Sequence, residues 1–418
     1  MSQERAKIVF LINSLGGGGA EKIMKTLLEN IDRDKFDVSL SFTCENRIDY
    51  DIDQSIPLHM PNFDSVRVNA ISYFIIKMLS LIRCVIPLSE YKQLRKRYSD
   101  IYNRLVNLYK GFVVTRDYVE TVKPQLIVSF LFYSSLIAIV LKWISKNRFK
   151  VVCSDHCTLT NELKNYFPLT YVYLPRLLYK GLDAYVAVSE GVQRDLVESY
   201  HLSREKIRII NNGSNIQEIK ALSLRPVPSE VKLLLPNDGV FSIVNVGRLA
   251  PPKNQAVLLK AFQIVRKHCA CRLYVVGQGE LLTELTNLAS VLGITQDVYF
   301  LGWQENPFSI MAKCDLFVLS SSWEAFPNVL VEAMAVGLPI VSTDCPTGPR
   351  EALADGAYGD LIPVNDIEAL ANAIIRMHDD TARRMKFARL GADRAETFAF
   401  SHMIGSYEHL INELLAKY

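Results

Sequence analysis

The feature that most constrains the fold of this chain is a regular alternation of short, apolar, β-branched runs with helix-length amphipathic stretches. Strands buried on both faces read as near-continuous apolar runs, and parallel neighbours must be joined by helix-length crossovers. Six such runs stand at 7–12, 37–43, 125–130, 150–154, 184–188 and 207–210. Six more follow at 241–246, 272–276, 297–301, 315–319, 339–342 and 359–362. The pattern predicts an α/β chain of two Rossmann-like, doubly wound domains, and 418 residues suffice for two cores. Between them, Arg225-Pro226-Val227-Pro228 through Pro236-Asn237-Asp238-Gly239 breaks the alternation and reads as a linker. The expected boundaries are 1–222 for the first domain, 223–239 for the linker and 240–396 for the second domain, with 397–418 a terminal helix that crosses back to the first. Helices are expected near 365–378, 380–395 and 402–416, the last with Ser401 as its N-cap.

Charge is unevenly shared. Residues 1–225 hold 31 basic and 23 acidic side chains, and residues 226–418 hold 16 and 21. Within 66–150 the count is 15 against 4, an excess that calls for an anionic partner. That region includes an apolar stretch from Ala70 to Pro87, interrupted by Lys77 and Arg83, and then Lys92, Arg95, Lys96 and Arg97. Each charge near a bilayer centre costs about 2.5–3.5 kcal/mol, which argues against a spanning helix. A helix lying at an anionic membrane surface is physically easier, and the alternative is a core helix followed by a solvated basic one. Met1 to Lys7 is polar and the run Ile8 to Ile12 is too short for a signal peptide, so a cytoplasmic protein at the inner face of the membrane is expected. The eight cysteines follow no disulfide framework and read as reduced thiols. Cys153, His156 and Cys157 are metal-like in type but lack a second pair at zinc spacing.

Three loops carry chemistry. Asn13-Ser14-Leu15-Gly16-Gly17-Gly18-Gly19-Ala20-Glu21 follows the first run and opens a helix, so Gly17 and Gly18 can bring backbone amides close to an anion. It is neither a Walker A sequence nor a dinucleotide fingerprint. Gly247-Arg248-Leu249-Ala250-Pro251-Pro252-Lys253-Asn254 follows the run 241–246 and sets two cations at a strand's carboxyl end, where ligands of open α/β sheets bind. Ser320-Ser321-Ser322-Trp323-Glu324-Ala325-Phe326-Pro327-Asn328-Val329-Leu330-Val331-Glu332 passes from a strand through a serine-rich loop into a helix, with Pro327 at its first position. Glu332 then lies about one turn into that helix.

These residues resemble glycosyltransferase family 4, retaining enzymes of the GT-B fold that include bacterial lipopolysaccharide, O-antigen and lipid-linked oligosaccharide transferases. Residues 324–332 match its Glu-x7-Glu element, 247–254 its Gly-Arg-Leu…Lys-Asn element, and 16–21 its glycine loop. Weaker matches at 186–190, 210–213, 276–280 and 300–302 come in family order and cover nearly the whole chain. The resemblance implies two domains facing a cleft, the first binding the acceptor and the second the nucleotide sugar. It implies that Arg248 and Lys253 hold the donor diphosphate, Glu332 the ribose and Glu324 the sugar. Gly17, Gly18, Gly277 and Val329, with the amides of Ala325, Phe326 and Asn328, belong to the same site, and the Gly302-Trp303-Gln304 turn meets the base. Pro327 replaces a glycine usual there and removes one amide. His156 matches a histidine that touches the donor sugar from the first domain; Asp155 either orients it or caps the strand end.

The implied reaction moves a hexose or N-acetylhexosamine from a nucleotide sugar, with UDP favoured, to a saccharide acceptor of the polyprenyl-diphosphate-linked kind, with no metal or other cofactor. Fixed cations and amides meet the leaving diphosphate. Asp32-Arg33-Asp34 and Asp49 to Asp53 have the spacing of a metal pair but lie among charged turn residues and read as solvated acids. Nothing suggests a nucleic-acid partner. Two rivals are an epimerase or sugar phosphorylase on the same fold, for which no motif nominates a cofactor lysine, and a non-catalytic membrane-associated subunit. Pro346-Thr347-Gly348-Pro349-Arg350-Glu351 resembles a variant common in O-antigen and glycan-assembly transferases that use UDP-hexoses or UDP-N-acetylhexosamines.

Overall fold

A computed structural model describes residues 5–16, 18–67, 88–156, 160, 173–235 and 238–417. Gly17, Lys77, Arg83, Cys84 and Cys157 lie outside the described residues, as do the side chains of Lys92, Arg95, Lys96 and Arg97.

The chain divides into two compact units. The first holds Met1–Val186, Leu196–Arg208 and Tyr407–Tyr418, and the second Ala187–Asp195 and Ile209–Ser406. In the first, strands β1 (Ala6–Ile12), β2 (Phe36–Phe42), β3 (Leu58–His59), β4 (Leu126–Phe130), β5 (Lys150–Ser154), β6 (Ala184–Ala187) and β7 (Ile207–Ile209) form a sheet of order β3-β2-β1-β4-β5-β6-β7. Its strands from β3 to β6 pair in parallel. Ile8, Phe10, Leu40, Val128 and Val152 are fully or almost fully buried, as strands covered on both faces require. Helix α1 (Gly19–Asn30) follows β1, and α2 (Leu88–Val122) and α3 (Phe132–Ile144) flank β4. Among the described residues no helix is long and apolar enough to cross a membrane.

In the second unit, β8 (Phe241–Val246), β9 (Cys271–Val276), β10 (Val298–Gly302), β11 (Leu316–Leu319), β12 (Ile340–Thr343) and β13 (Asp360–Ile362) form a wholly parallel sheet, order β10-β9-β8-β11-β12-β13. Its core joins Ile243, Leu273, Leu316 and Val341 to Leu258 and Phe262 of α4 (Gln255–His268) and Ile374 of α5 (Ile367–Asp379). The order reverses between β8 and β11. Their carboxyl ends therefore diverge into a crevice, the usual ligand position in open α/β sheets.

Three details depart from expectation. Residues 209–222 were expected in the first domain but group with the second unit. Gly213 explains the contact: a Cβ there would stand 2.5 Å from Phe400 Cα, and Lys220 pairs with Glu396 at 2.6 Å. Residues 229–232 of the expected linker form one helical turn. The terminal helix spans Phe400–Ala416, so Ser401 lies inside it; the Phe400 amide instead donates to the Ser214 carbonyl at 3.0 Å.

Candidate active site

The loops after β8 and β11 are bound to each other. Lys253 Nζ donates to Glu324 Oε1 at 2.6 Å, and Ser321 Oγ donates to the same oxygen at 2.6 Å. Ser320 Oγ donates to the Lys253 carbonyl at 2.9 Å, and the Ser322 amide to the Pro252 carbonyl at 2.8 Å. Lys253 and Glu324 expose only 25% and 11% of their side chains, so this charge pair is largely desolvated. Arg248 is exposed at the same edge, its carbonyl held by Gln255 Nε2 at 3.1 Å. Gly277 directly follows β9 beside it at φ +140°, and a Cβ there would collide with the Gly247 carbonyl. Only glycine permits the two strand-end turns to approach so closely.

Helix α6 (Asn328–Val336) begins directly behind Glu324, with Pro327 as its N-cap at φ −82° and ψ 87°. The sequence placed Pro327 one position further in, as the first helical residue. The Asn328 amide donates to the Phe326 carbonyl at 3.1 Å. The Val329 amide has no acceptor among the described residues, as expected of an unsatisfied first-turn donor. Glu332 is half-buried one turn on, and Trp303 is 64% exposed beyond Gly302, which takes φ +66°. Thr347 Oγ1 bonds the Glu324 carbonyl, and Gly348, at φ +90°, packs where a Cβ would stand 2.5 Å from Pro327 Cδ.

Residues outside the expected site buttress this turn. Ser189 Oγ donates to the Ala325 carbonyl at 2.8 Å, and Asn212 Nδ2 to Asn328 Oδ1 at 3.0 Å. Glu351 accepts from Asn211 Nδ2 at 2.7 Å and the Glu190 amide at 2.8 Å. Burial raises its carboxyl pKa above the usual 4.5 against these hydrogen bonds. Serine and asparagine are too common for their roles to be read from sequence. The 186–190 and 210–213 matches were the available signal.

In the first unit, His156 follows β5 at φ +52°, its ring 4.3 Å from that of Phe130. Asp155 is fully buried. It accepts from Ser135 Oγ at 2.7 Å and from the Tyr179 hydroxyl, and its amide donates to the Tyr185 hydroxyl at 3.3 Å. Burial raises its pKa above 3.8. Its side chain thus anchors the strand end to the interior. Gly18 caps α1, and its carbonyl accepts from the Tyr50 hydroxyl at 2.8 Å. Asp32, Asp49 and Asp53 pair with Lys35, Arg47 and Arg33 at 2.5, 2.5 and 3.6 Å. Burial pushes the Cys153 thiol up to about 12, which keeps it protonated.

Comparison with known proteins settles the family. The model for Glycosyltransferase Family 4 matches residues 17–218, and that for Glycosyl transferases group 1 matches 230–394. An uncharacterised glycosyltransferase of Methanocaldococcus jannaschii is 30% identical over 285 residues, 60% of this chain and 70% of its own. The chain belongs to glycosyltransferase family 4. This glycosyltransferase is also 28% identical over 396 residues to the N-acetylgalactosamine-N,N'-diacetylbacillosaminyl-diphospho-undecaprenol 4-alpha-N-acetylgalactosaminyltransferase of Campylobacter jejuni, covering 94% of this chain and 95% of that one. Its fold is GT-B. Anabaena HepE in complex with UDP-glucose superposes with a TM-score of 0.72 at 21% identity, covering 97% of this chain and 99% of that one. The sucrose-phosphate synthase of Thermosynechococcus elongatus does so with 0.77 at 18% identity, covering 99% and 100%.

Proposed function

We propose that this family 4 glycosyltransferase moves a hexose or N-acetylhexosamine from a UDP-sugar to a polyprenyl-diphosphate-linked saccharide, with retention of configuration and without metal, at the cytoplasmic face of a membrane in surface-glycan assembly. The observation that carries the reading is the desolvated Lys253–Glu324–Ser321 cluster at the switch point between β8 and β11, beside exposed Arg248 and the first turn of α6. A diphosphate approaching Arg248 competes with Glu324 for the Lys253 ammonium. Taking that ammonium frees the carboxylate to accept from sugar hydroxyls. Two guanidinium or ammonium groups and a helix N-terminus stabilise a departing diphosphate without a cation.

We assign the ribose to Glu332, the base to the turn at Trp303, the sugar to Glu324 and His156, and phosphate or sugar contacts to Gly17, Gly18, Gly277 and the amides of Ala325, Phe326, Asn328 and Val329. The acceptor class rests on the diphospho-undecaprenol substrate in the name of the Campylobacter relative, which aligns along 94% of this chain, and on the basic excess in 66–150. The test supplies membranes bearing lipid-linked intermediates with a panel of nucleotide sugars, in the presence and absence of EDTA, followed by mass and NMR analysis of the lipid product. The expected outcome is one added residue from a UDP-sugar, the donor's anomeric configuration kept, and an unchanged rate in EDTA. Incorporation from no donor overturns the proposal.

A further inference from the structure

At the opposite edge of the second sheet, helices α4 and α5 pack side by side on one face through Leu258, Phe262 and Val265 against Leu370, Ile374 and Met377. Both end at the same level, His268 lying against Asp379. His268 closes α4, and His378 and Asp379 close α5. Three residues after His268 the chain enters β9 at Cys271, and the His378 ring meets Phe241, the first residue of β8, at 5.2 Å and 86°. These groups therefore stand at the amino edge of the sheet. Arg248 and Lys253 follow the carboxyl edge, one six-residue strand away, which is roughly 20 Å at about 3.3 Å per residue.

His268 Nε2 lies 3.2 and 3.1 Å from the two oxygens of Asp379, and His378 Nδ1 lies 2.7 Å from one of them. One donor atom from each of the three residues lies within 4.8 Å of the others. We propose that His268, His378 and Asp379 form a site for a divalent transition-metal ion of the zinc class, remote from the donor motifs and serving to clamp the ends of α4 and α5.

Two imidazoles and one carboxylate favour zinc, cobalt, nickel or copper over magnesium or calcium, which take oxygen ligands. Tetrahedral zinc at about 2.0–2.1 Å sets its ligands about 3.3 Å apart. The His268–Asp379 separation is already close to that value, and the His378–Asp379 contact needs only to relax. The ends of two helices also present partial negative charge to a cation. Side-chain exposures of 44% for His268, 33% for His378 and 50% for Asp379 leave an entry path and a fourth position for water. Two neighbours limit the site. Arg384 Nη1 donates to the Met377 and His378 carbonyls at 2.5 and 2.7 Å, placing a fixed cation on one helix end. Cys269 directs its Sγ to the Val265 carbonyl at 3.8 Å and is not a fourth ligand. Three ligands beside a cation give moderate affinity rather than the tight binding of a closed zinc site.

The test titrates the purified, chelator-stripped full chain with Co²⁺ and Zn²⁺, following visible Co²⁺ absorption, zinc calorimetry and the thermal midpoint. One equivalent of Co²⁺ should give tetrahedral bands that Zn²⁺ abolishes and excess Mg²⁺ does not, and Zn²⁺ should raise the midpoint. His268→Ala and His378→Ala should each weaken binding at least tenfold and remove the midpoint shift, while His402→Ala, on the exposed face of the terminal helix, should do neither. Circular dichroism of each variant establishes that it is folded. No saturable binding to millimolar metal, binding that survives the His268→Ala/His378→Ala pair, or displacement by Mg²⁺ overturns the proposal. Because the readouts are binding and stability, they stand or fall apart from any assignment of donor or acceptor.

Discussion

Lys253→Ala is the sharpest perturbation of the proposed donor site, because the ammonium is held by a single, largely buried carboxylate, that of Glu324. It removes a 2.6 Å charge-assisted bond to Glu324 and leaves that carboxylate, 11% exposed, with Ser321 as a remaining donor. Breaking a fully buried pair costs about 3–5 kcal/mol and an exposed one about 0–1 kcal/mol. With Lys253 at 25% exposure and Ser321 still in place, a stability loss of about 1–2 kcal/mol is expected. The catalytic effect is larger. A hydrogen bond to a charged group contributes about 1.5–3 kcal/mol, which is about 10- to 150-fold in kcat/KM at about 1.36 kcal/mol per decade. Release of UDP in the presence of acceptor supplies the rate, and Glu324→Gln completes a double-mutant cycle. If the two side chains serve one bound donor, the double variant should fall little below the worse single one. Folded Lys253→Ala and Glu324→Gln proteins that both keep kcat/KM within twofold of wild type would refute the assignment.

Four further outcomes are expected. His156→Ala should lower turnover about 10²-fold or more, the scale of a positioned acid, base or polar catalyst, with UDP affinity by calorimetry unchanged; because His156 takes φ +52°, His156→Gly should restore any lost thermal stability but not the rate. Gly277→Ala should destabilise the second unit by about 1–3 kcal/mol through backbone strain and collision with the Gly247 carbonyl, read by calorimetric unfolding; an unchanged midpoint contradicts the close approach. The raised pKa of Asp155 means that its folded form binds the proton more tightly than the unfolded chain, so its contribution to stability is complete below pH 3.8 and is lost as pH rises through the folded value; urea titrations should show Asp155→Asn gaining on wild type across that interval, and a constant difference contradicts burial as the cause. EDTA should leave the initial transfer rate within twofold while lowering the thermal midpoint of metal-loaded protein, since the only metal proposed lies at the far edge of the sheet.

The strands were legible because burial on both faces demands apolar, β-branched runs, and that demand is local. Strand β3 was not, because Leu58–His59 is two residues long and exists only through pairing with Leu40 and Ser41 of β2. The helix start at Phe400 escaped for a similar reason: Ser401 is a good cap in isolation, yet the Phe400 amide is satisfied by Ser214, far away in sequence. Local preference sets where an element can begin, and a distant partner sets where it does. At the candidate site the charged residues announced themselves by position after strands. Ser321, Ser189 and Asn212, which hold the Glu324 turn, did not, since each reaches it through a hydrogen bond from a residue type abundant everywhere.

The same distinction separates the two histidine assignments. His156 stood out through its place in sequence, directly after the run 150–154 where it matches the family's histidine, while Cys153 and Cys157 beside it lack the second pair that zinc spacing needs. His268 and Asp379 are separated by 111 positions and share no motif. Only the packing of α4 against α5 brings them together, so a metal ligand set of this kind is a property of the helix interface. It follows that the variants most able to weaken the site without touching a ligand lie in that interface. Ile374→Ala, at a position with no solvent exposure, should cost about 2–5 kcal/mol in stability and loosen the register of the two helix ends. Zinc should then bind at least several-fold more weakly although all three ligands remain. Unchanged zinc affinity in a folded Ile374→Ala protein would mean that the ligands are placed by their own turns rather than by helix packing.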